Sequence, residues 1–212
     1  MVFVKAAADV QILKMKSNDY LLQMKKYAQE NKVPIIKDEG LGFLLDIINN
    51  EDPKTILEIG SAILYSASMM ALNSKANIVT IERDPEMIEI AKKNLSVLGL
   101  EKRITIIEGD ALEVFDQVKN YKFDLIFIDA AKAQYEKFFN LYTPLLTEDG
   151  AVVSDNLILH GLVGTDTSTY SRSLRGLIRK ITSYREFLAN NTEFQTTFYD
   201  DIGDGMGVSY KR

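Results

Sequence analysis

The sequence predicts an α/β fold built on an open, mostly parallel sheet, and three observations carry that prediction. Short β-branched and aliphatic runs recur along the chain, most of them separated by helix-compatible segments, which is the pattern of βαβ units. Five successive runs end on small or acidic residues, at the carboxyl edge where open α/β sheets bind ligands. The stretch 54–84, KTILEIGSAILYSASMMALNSKANIVTIERD, compresses one strand, a tight turn, a helix and a second strand into a single unit.

In chain order, residues 1–50 read as an N-terminal helical extension, a lid or dimer arm rather than a domain. Lys14, Lys16, Lys25, Lys26 and Lys32 are interrupted there by Asp19 and Glu30 and read as the solvated face of an amphipathic helix. Asn49-Asn50-Glu51-Asp52-Pro53 breaks the chain before the first strand. Residues 55–59 form that strand, 64–74 a helix, and 77–81 a second strand that finishes on Glu82. Pro85 then opens a helix to about residue 98 whose Met87, Ile88, Ala91 and Leu95 make a core-facing stripe. Strands follow at 103–107, before Glu108-Gly109-Asp110-Ala111, at 123–128, before Asp129-Ala130-Ala131-Lys132, and at 151–154, before Asp155-Asn156. Residues 159–173, rich in Gly, Ser and Thr without firm periodicity, predict a mobile loop over the site, with His160 inside it. Residues 194–199 and 206–211 flank Gly203-Asp204-Gly205 and predict a closing antiparallel hairpin.

Gly60 allows a sharp turn beside a ligand, and the helix start that follows offers free N–H groups and a positive dipole end to an anionic group. The turn lacks the three glycines of GxGxxG, since Ser61, Ala62, Ile63 and Leu64 follow Gly60, and a GxxxxGK[ST] loop is absent. Pyrophosphate cofactors and nucleotide hydrolysis are therefore disfavoured. S-adenosylmethionine asks for a small turn, an acid for the ribose and polar groups for an amino-acid tail, all of which this stretch supplies. An ordinary βαβ crossover without a ligand would look much the same at this one turn.

The 212 residues suit one domain. A net charge of −5 excludes a uniformly basic nucleic-acid binder and makes any RNA contact local. Such a patch exists at residues 170–185, where Arg172, Arg175, Arg179, Lys180 and Arg185 occur without an acid among them up to Arg185. The spacing puts Arg172, Arg175 and Arg179 on one helical face, which suits phosphate binding, a dimer contact or simple solvation. The absence of cysteine agrees with a reducing cytoplasm, and neither a signal-like apolar run nor a membrane-spanning one is present, so the expected location is cytoplasmic.

The motifs LEIGSAILYSA, TIERDPEMIEIAKKN, GDA, FDLIFIDAAKAQY, VVSDN and GDGMGVSYKR resemble the metal- and S-adenosylmethionine-dependent O-methyltransferases of the catechol and caffeoyl-CoA type. The likeness spans nearly the whole chain. YAQENKVPIIKDEG and the Arg-rich segment after Asp155-Asn156 most resemble the bacterial branch that methylates 5-hydroxyuridine at the tRNA wobble position. The resemblance implies a class I methyltransferase, Rossmann-like fold: a seven-stranded, mostly parallel sheet with an antiparallel last strand, helices on both faces and an N-terminal helical extension. It also implies that Glu58, Gly60, Ser61 and Ser66 line the cofactor's methionine end, that Glu82 takes the ribose hydroxyls and that Asp110 and Ala111 flank the adenine. By the same resemblance Asp129, Asp155 and Asn156 match metal ligands, Lys132 matches the general base, and Asp129 borders both cofactor and chemistry. Leu64 stands where that family usually has glycine, which would put a branched side chain near the methionine tail.

Two carboxylates and an amide oxygen form a hard donor set suited to Mg²⁺, or to Mn²⁺ or Ca²⁺. A catechol and a 5-hydroxyuracil each present an ionisable hydroxyl beside a second oxygen, so such a site serves either. The expected acceptor is therefore the tRNA anticodon region, with Arg172, Arg175, Arg179 and His160 as substrate contacts, or a small phenol; the expected assembly is a homodimer.

Overall fold

The computed structural model describes residues 2–212, with side chains from residue 17 onward; Lys14 and Lys16 lie outside the described side chains. Two helices, α1 (Val2–Asn31) and α2 (Asp38–Glu51), precede a core of β1 (Thr55–Ile59), α3 (Tyr65–Asn73), β2 (Asn77–Glu82), α4 (Pro85–Leu98) and β3 (Ile104–Glu108). It continues with α5 (Phe115–Val118), β4 (Phe123–Ile128), α6 (Tyr135–Tyr142), β5 (Leu146–Ser154), α7 (Arg172–Ala189), β6 (Phe194–Tyr199) and β7 (Met206–Lys211). The seven strands form one sheet in the order β3-β2-β1-β4-β5-β7-β6. β1 to β5 pair in parallel, and β7 runs antiparallel to both β5 and β6.

Alternation along the strands assigns each face its helices. Ile56, Ile78, Leu125, Phe127 and Val153 join the cluster built with α1 to α4. Leu57, Ile59, Val79, Ile81, Ile126, Ile128 and Val152 join the opposite cluster, with residues of α5, α6 and α7. Both faces are covered, which is why these strands read as continuous apolar runs rather than alternating ones. A third, smaller cluster packs Leu159 of the loop after β5 against Ile178 and Ile181 of α7.

The strand reversal lies between β1 and β4, so the crevice at their carboxyl ends is the expected ligand position. Local chemistry builds the elements around it. Asp84 caps α4 by accepting from the N–H groups of Glu86 and Met87, with Pro85 at the first turn, and Gly99 ends the helix in a left-handed conformation. The Arg103 guanidinium donates to the carbonyls of Ser74 and Ala76, fixing the exit from α3.

Two expectations change. β5 begins at Leu146 rather than Ala151, because Phe123 pairs with Leu146 while Leu125 pairs with Ala151; the intervening Thr147-Glu148-Asp149-Gly150 reads locally as a turn. Leu64 does not crowd the cavity. It takes φ 73 and ψ 21 at the start of α3, and its fully buried side chain belongs to the core with Ile63, Ala67 and Met70. Left-handed backbone costs a non-glycine residue about 1–2 kcal/mol, and burial of a leucine offsets it. Leu64→Gly should therefore relieve strain yet lower stability by about 1–3 kcal/mol in denaturant unfolding, since emptying a buried leucine site costs about 2–5 kcal/mol. An unchanged or higher unfolding midpoint would contradict this packing role.

Candidate functional site

A cavity of about 510 Å³ opens at the strand reversal. Its walls are residues 31–36 between α1 and α2, the turn after β1, the end of β2 with Met87 of α4, residues 109–111 after β3, and residues 129–132 after β4. Met87, which also packs against the core as expected, and the exposed Lys32 both border the cavity.

The turn is fixed by a close approach. Gly60 has φ +98, and a Cβ there would sit 2.3 Å from the Asp129 carbonyl oxygen, so only glycine fits. Ala62 and Leu64 are also left-handed, at φ 44 and 73. α3 then starts with no side-chain cap, leaving its first N–H groups for a ligand beside Tyr65 and Ser66. The Ser61 Oγ is buried without a hydrogen-bond partner; a ligand in the cavity would supply one.

Glu58 lies under this wall and is fully buried. It accepts from Ser66 Oγ and Thr80 Oγ1, and burial pushes its carboxyl up to about 7. Its link to the cavity is through Ser66. Glu82, at the end of β2, accepts from the backbone N–H of Ala62 (2.8 Å), Arg83 (2.8 Å) and Asp84 (2.9 Å); it ties two turns together and faces the cavity. Asp110 accepts from Leu112 N at 2.9 Å and from Arg83 Nη1 at 3.0 Å, and these contacts, the Leu112 N–H first, hold its carboxyl below the usual range. Ala111 is buried beside it, its carbonyl accepting from the Tyr142 hydroxyl at 2.6 Å.

Asp129, Asp155 and Asn156 come together next to the cavity. Asp129 N donates to Ile59 O and Asp155 N to Ile128 O, each at 3.1 Å, so the ladder of β1, β4 and β5 runs on past the strands and sets the residues side by side. Asn156, at φ 64, donates its amide to Asp129 Oδ1 at 3.0 Å. Burial raises both carboxyls. Asp155 reaches about 7, with the Asp129 charge as the next cause, while Lys132 partly offsets the rise at Asp129. Two desolvated like charges favour a compensating cation, and the donor set is all oxygen. Among the described residues no group of three His, Cys, Asp or Glu side chains has metal-site geometry; the third donor in this set is an amide.

Lys132 opens a 3-10 turn, Lys132–Gln134, and lines the cavity. His160 stands in the loop with its Nδ1 2.9 Å from Asp204 Oδ1. Arg172, Arg175, Arg179 and Lys180 are exposed on α7. Arg185 is not part of that free face, since it makes a two-pronged pair with Asp200 and lies 4.5 Å over the Phe198 ring. Sequence reasoning gave Asp204 no role beyond its turn. Tyr135 is 1% exposed; its hydroxyl is unpartnered, and burial with the nearby Asp129 and Asp155 charges pushes its phenol well above the usual range.

Glu58 and Asp155 keep protons in the folded state that the unfolded chain releases near 4.5 and 3.8. The unfolded state thus binds fewer protons up to about pH 7, and these groups reduce stability as pH rises through that window. In thermal unfolding with chelator, Glu58→Gln should gain on the wild type between about pH 5 and about pH 8. A difference independent of pH would contradict the buried protonated carboxyl.

The O-methyltransferase family profile matches residues 8–212. The chain is 32% identical over 165 residues to a catechol O-methyltransferase of Niastella koreensis, covering 74% of this chain and 72% of that one. A caffeoyl-CoA O-methyltransferase of Populus kitakamiensis is 26% identical, covering 86% and 80%. Among solved structures, a Staphylococcus aureus protein assigned as a caffeoyl-CoA O-methyltransferase is 38% identical, covers 100% of both chains and superposes with a TM-score of 0.87. An O-methyltransferase from Bacillus cereus in complex with SAH, 24% identical and covering 92% and 90%, has the same fold at a TM-score of 0.78. With its fold, its strand-end cavity and a match over residues 8–212, this chain belongs to the O-methyltransferase family.

Proposed function

We propose that the chain methylates a hydroxyl lying beside a second oxygen, with S-adenosylmethionine as donor and a divalent cation at Asp129, Asp155 and Asn156. The observation that carries this reading is the adjacency of the cavity to the two buried carboxylates and the Asn156 amide. In the donor half, the free N–H groups of α3, Ser61 and Ser66 suit the methionine end, Glu82 the ribose hydroxyls, and Asp110 with Ala111 the adenine. Mg²⁺ fits the hard oxygen donors best, with Mn²⁺ or Ca²⁺ as substitutes. Such a cation, when bound, lowers the pKa of an acceptor hydroxyl.

Lys132 borders the same cavity; as the neutral amine, its Nζ takes the hydroxyl proton and becomes an ammonium. The oxygen then attacks the donor methyl in line as the methyl–sulfur bond breaks and S-adenosylhomocysteine leaves with the bonding pair, and the walls contribute by holding the two reactants in that alignment and excluding water. Asp129 borders both halves: its backbone carbonyl touches the Gly60 turn and its side chain accepts from Asn156.

For the acceptor we propose 5-hydroxyuridine in the tRNA anticodon region. The support is the arginine face: Arg172, Arg175, Arg179 and Lys180 are exposed and enter no ion pair among the described residues, on the helix that follows the loop after Asn156. Phosphates could bind there despite the net negative chain. A small catechol is the second reading, favoured by the names of the relatives.

Labelled methyl transfer from S-adenosylmethionine decides between them, with Mg²⁺ or chelator, on tRNA carrying 5-hydroxyuridine and on catechol. The first reading predicts label in tRNA only with the cation, and a rise in KM for tRNA alone in Arg175→Glu. Label in catechol only would favour the second reading and leave the arginines without a substrate role. Lys132→Met should lower kcat about 10²-fold or more while S-adenosylhomocysteine binds within about threefold, roughly 0.65 kcal/mol. An unaffected kcat would remove Lys132 from the chemistry.

A further inference from the structure

Segments distant in sequence end on one carboxylate beside the site. Asp204, in the turn between β6 and β7, has a side chain only 8% exposed. Its Oδ1 accepts from Lys37 Nζ at 2.6 Å and lies 2.9 Å from His160 Nδ1. Lys37 directly follows residues 31–36, which wall the cavity. His160 lies four residues beyond Asn156, in the loop that begins at the other end of the site.

The backbone reinforces this junction. Ile158 N donates to Asp204 O and Leu157 N to Gly205 O, each at 2.9 Å. Gly203 and Gly205 flank Asp204 at φ 59 and 82, and a Cβ on Gly205 would meet Ile158 N at 2.9 Å. The Gly-Asp-Gly spacing is therefore what lets the turn approach the loop closely enough to reach it. The loop itself is strained, since Leu159 and His160 are left-handed at φ 47 and 55. Leu159 is held by packing on Ile178 and Ile181; the His160 side chain, 66% exposed, is held by Asp204.

We propose that Asp204 is a positioning residue that fastens the segment 32–37 and the loop 157–164 to one point, so that the cavity wall and the loop beside Asp155 and Asn156 move together. The inference rests on reading the cavity as the donor site. Donor binding against residues 31–36 then steadies Lys37, through it Asp204, and through that the loop next to Asp155 and Asn156. Acceptor access and donor retention become linked without any contact between the two molecules.

Hydrogen–deuterium exchange of the full chain, with and without S-adenosylhomocysteine, tests this. In the wild type the ligand should slow exchange in both 32–37 and 157–164. Without ligand, Asp204→Asn should speed exchange in both segments by about tenfold or more, as expected for loss of a charge-assisted hydrogen bond. With ligand, protection in that variant should be confined to 32–37. Lys37→Met leaves the Asp204–His160 contact in place and should still lose the ligand's effect on 157–164; it decides the matter if Asp204→Asn does not fold. A merely structural Asp204 would leave the coupling intact, and persistent ligand protection of 157–164 in Lys37→Met would overturn the proposal. If S-adenosylhomocysteine does not bind the wild type, the donor-site reading falls. The joint acceleration of both segments in the ligand-free variants then still supports the fastening, and its absence overturns it.

Discussion

The carbonyl oxygen of Asp129 lies 2.3 Å from where a side chain on Gly60 would begin. That contact sets how closely the chain leaving β1 can pass over the end of β4, and the rest of the site follows from it. Because Gly60 passes there, the turn can run through left-handed Ala62 and Leu64 into α3. The N–H groups of α3 then face the cavity and Ser61 enters its wall without a partner. The same ladder continues through Asp129 N to Ile59 O and Asp155 N to Ile128 O, so the cavity wall and the carboxylate group share one backbone frame. In the proposed reaction one residue, Asp129, belongs to both the donor side and the acceptor side.

Electrostatics divides the buried acids into two kinds. Glu58 is satisfied internally by two hydroxyl donors, and its task is to hold Ser66 and Thr80 beneath the turn. Asp129 and Asp155 face each other with an amide donor, a nearby lysine and the Asp204 charge. Their environment makes full ionisation costly, and in the proposed reaction a cation would remove that cost. Tyr135 packs edge-on to Tyr184 at 5.4 Å, and the Tyr184 hydroxyl shares a 2.8 Å hydrogen bond with Ser154, next to Asp155.

Much of this was legible in sequence because it depends on local pattern. β1 and β4 read as apolar runs bounded by breakers, and their bounds agree with the structure; β2 extends one residue further, through Glu82, and β3 lies one residue later than expected, at Ile104–Glu108. The Pro85 helix is correct at both ends. Acids after the strands mark the carboxyl edge that the sheet order then makes a crevice. What failed was long-range. The start of β5 is polar and pairs only because Phe123 accepts a shifted register. Met87 packs against the core as its spacing predicts, but that spacing does not announce that it also borders the cavity. Leu64 occupies a glycine-like conformation, and its direction into the core depends on neighbours that no spacing rule contains. Arg185 belongs to a basic run by sequence and to Asp200 in space. The Lys37–Asp204 pair spans 167 positions, so no local signal could announce it.

In the proposed reaction Asp129 stands between a methyl donor and a cation. Crystals of the full chain with S-adenosylhomocysteine and Mn²⁺ would test it by anomalous scattering from sulfur and manganese. The predicted result is a manganese peak among Asp129, Asp155 and Asn156, with the ligand sulfur in the cavity across Asp129. Manganese bound elsewhere, or a sulfur outside that cavity, would contradict it.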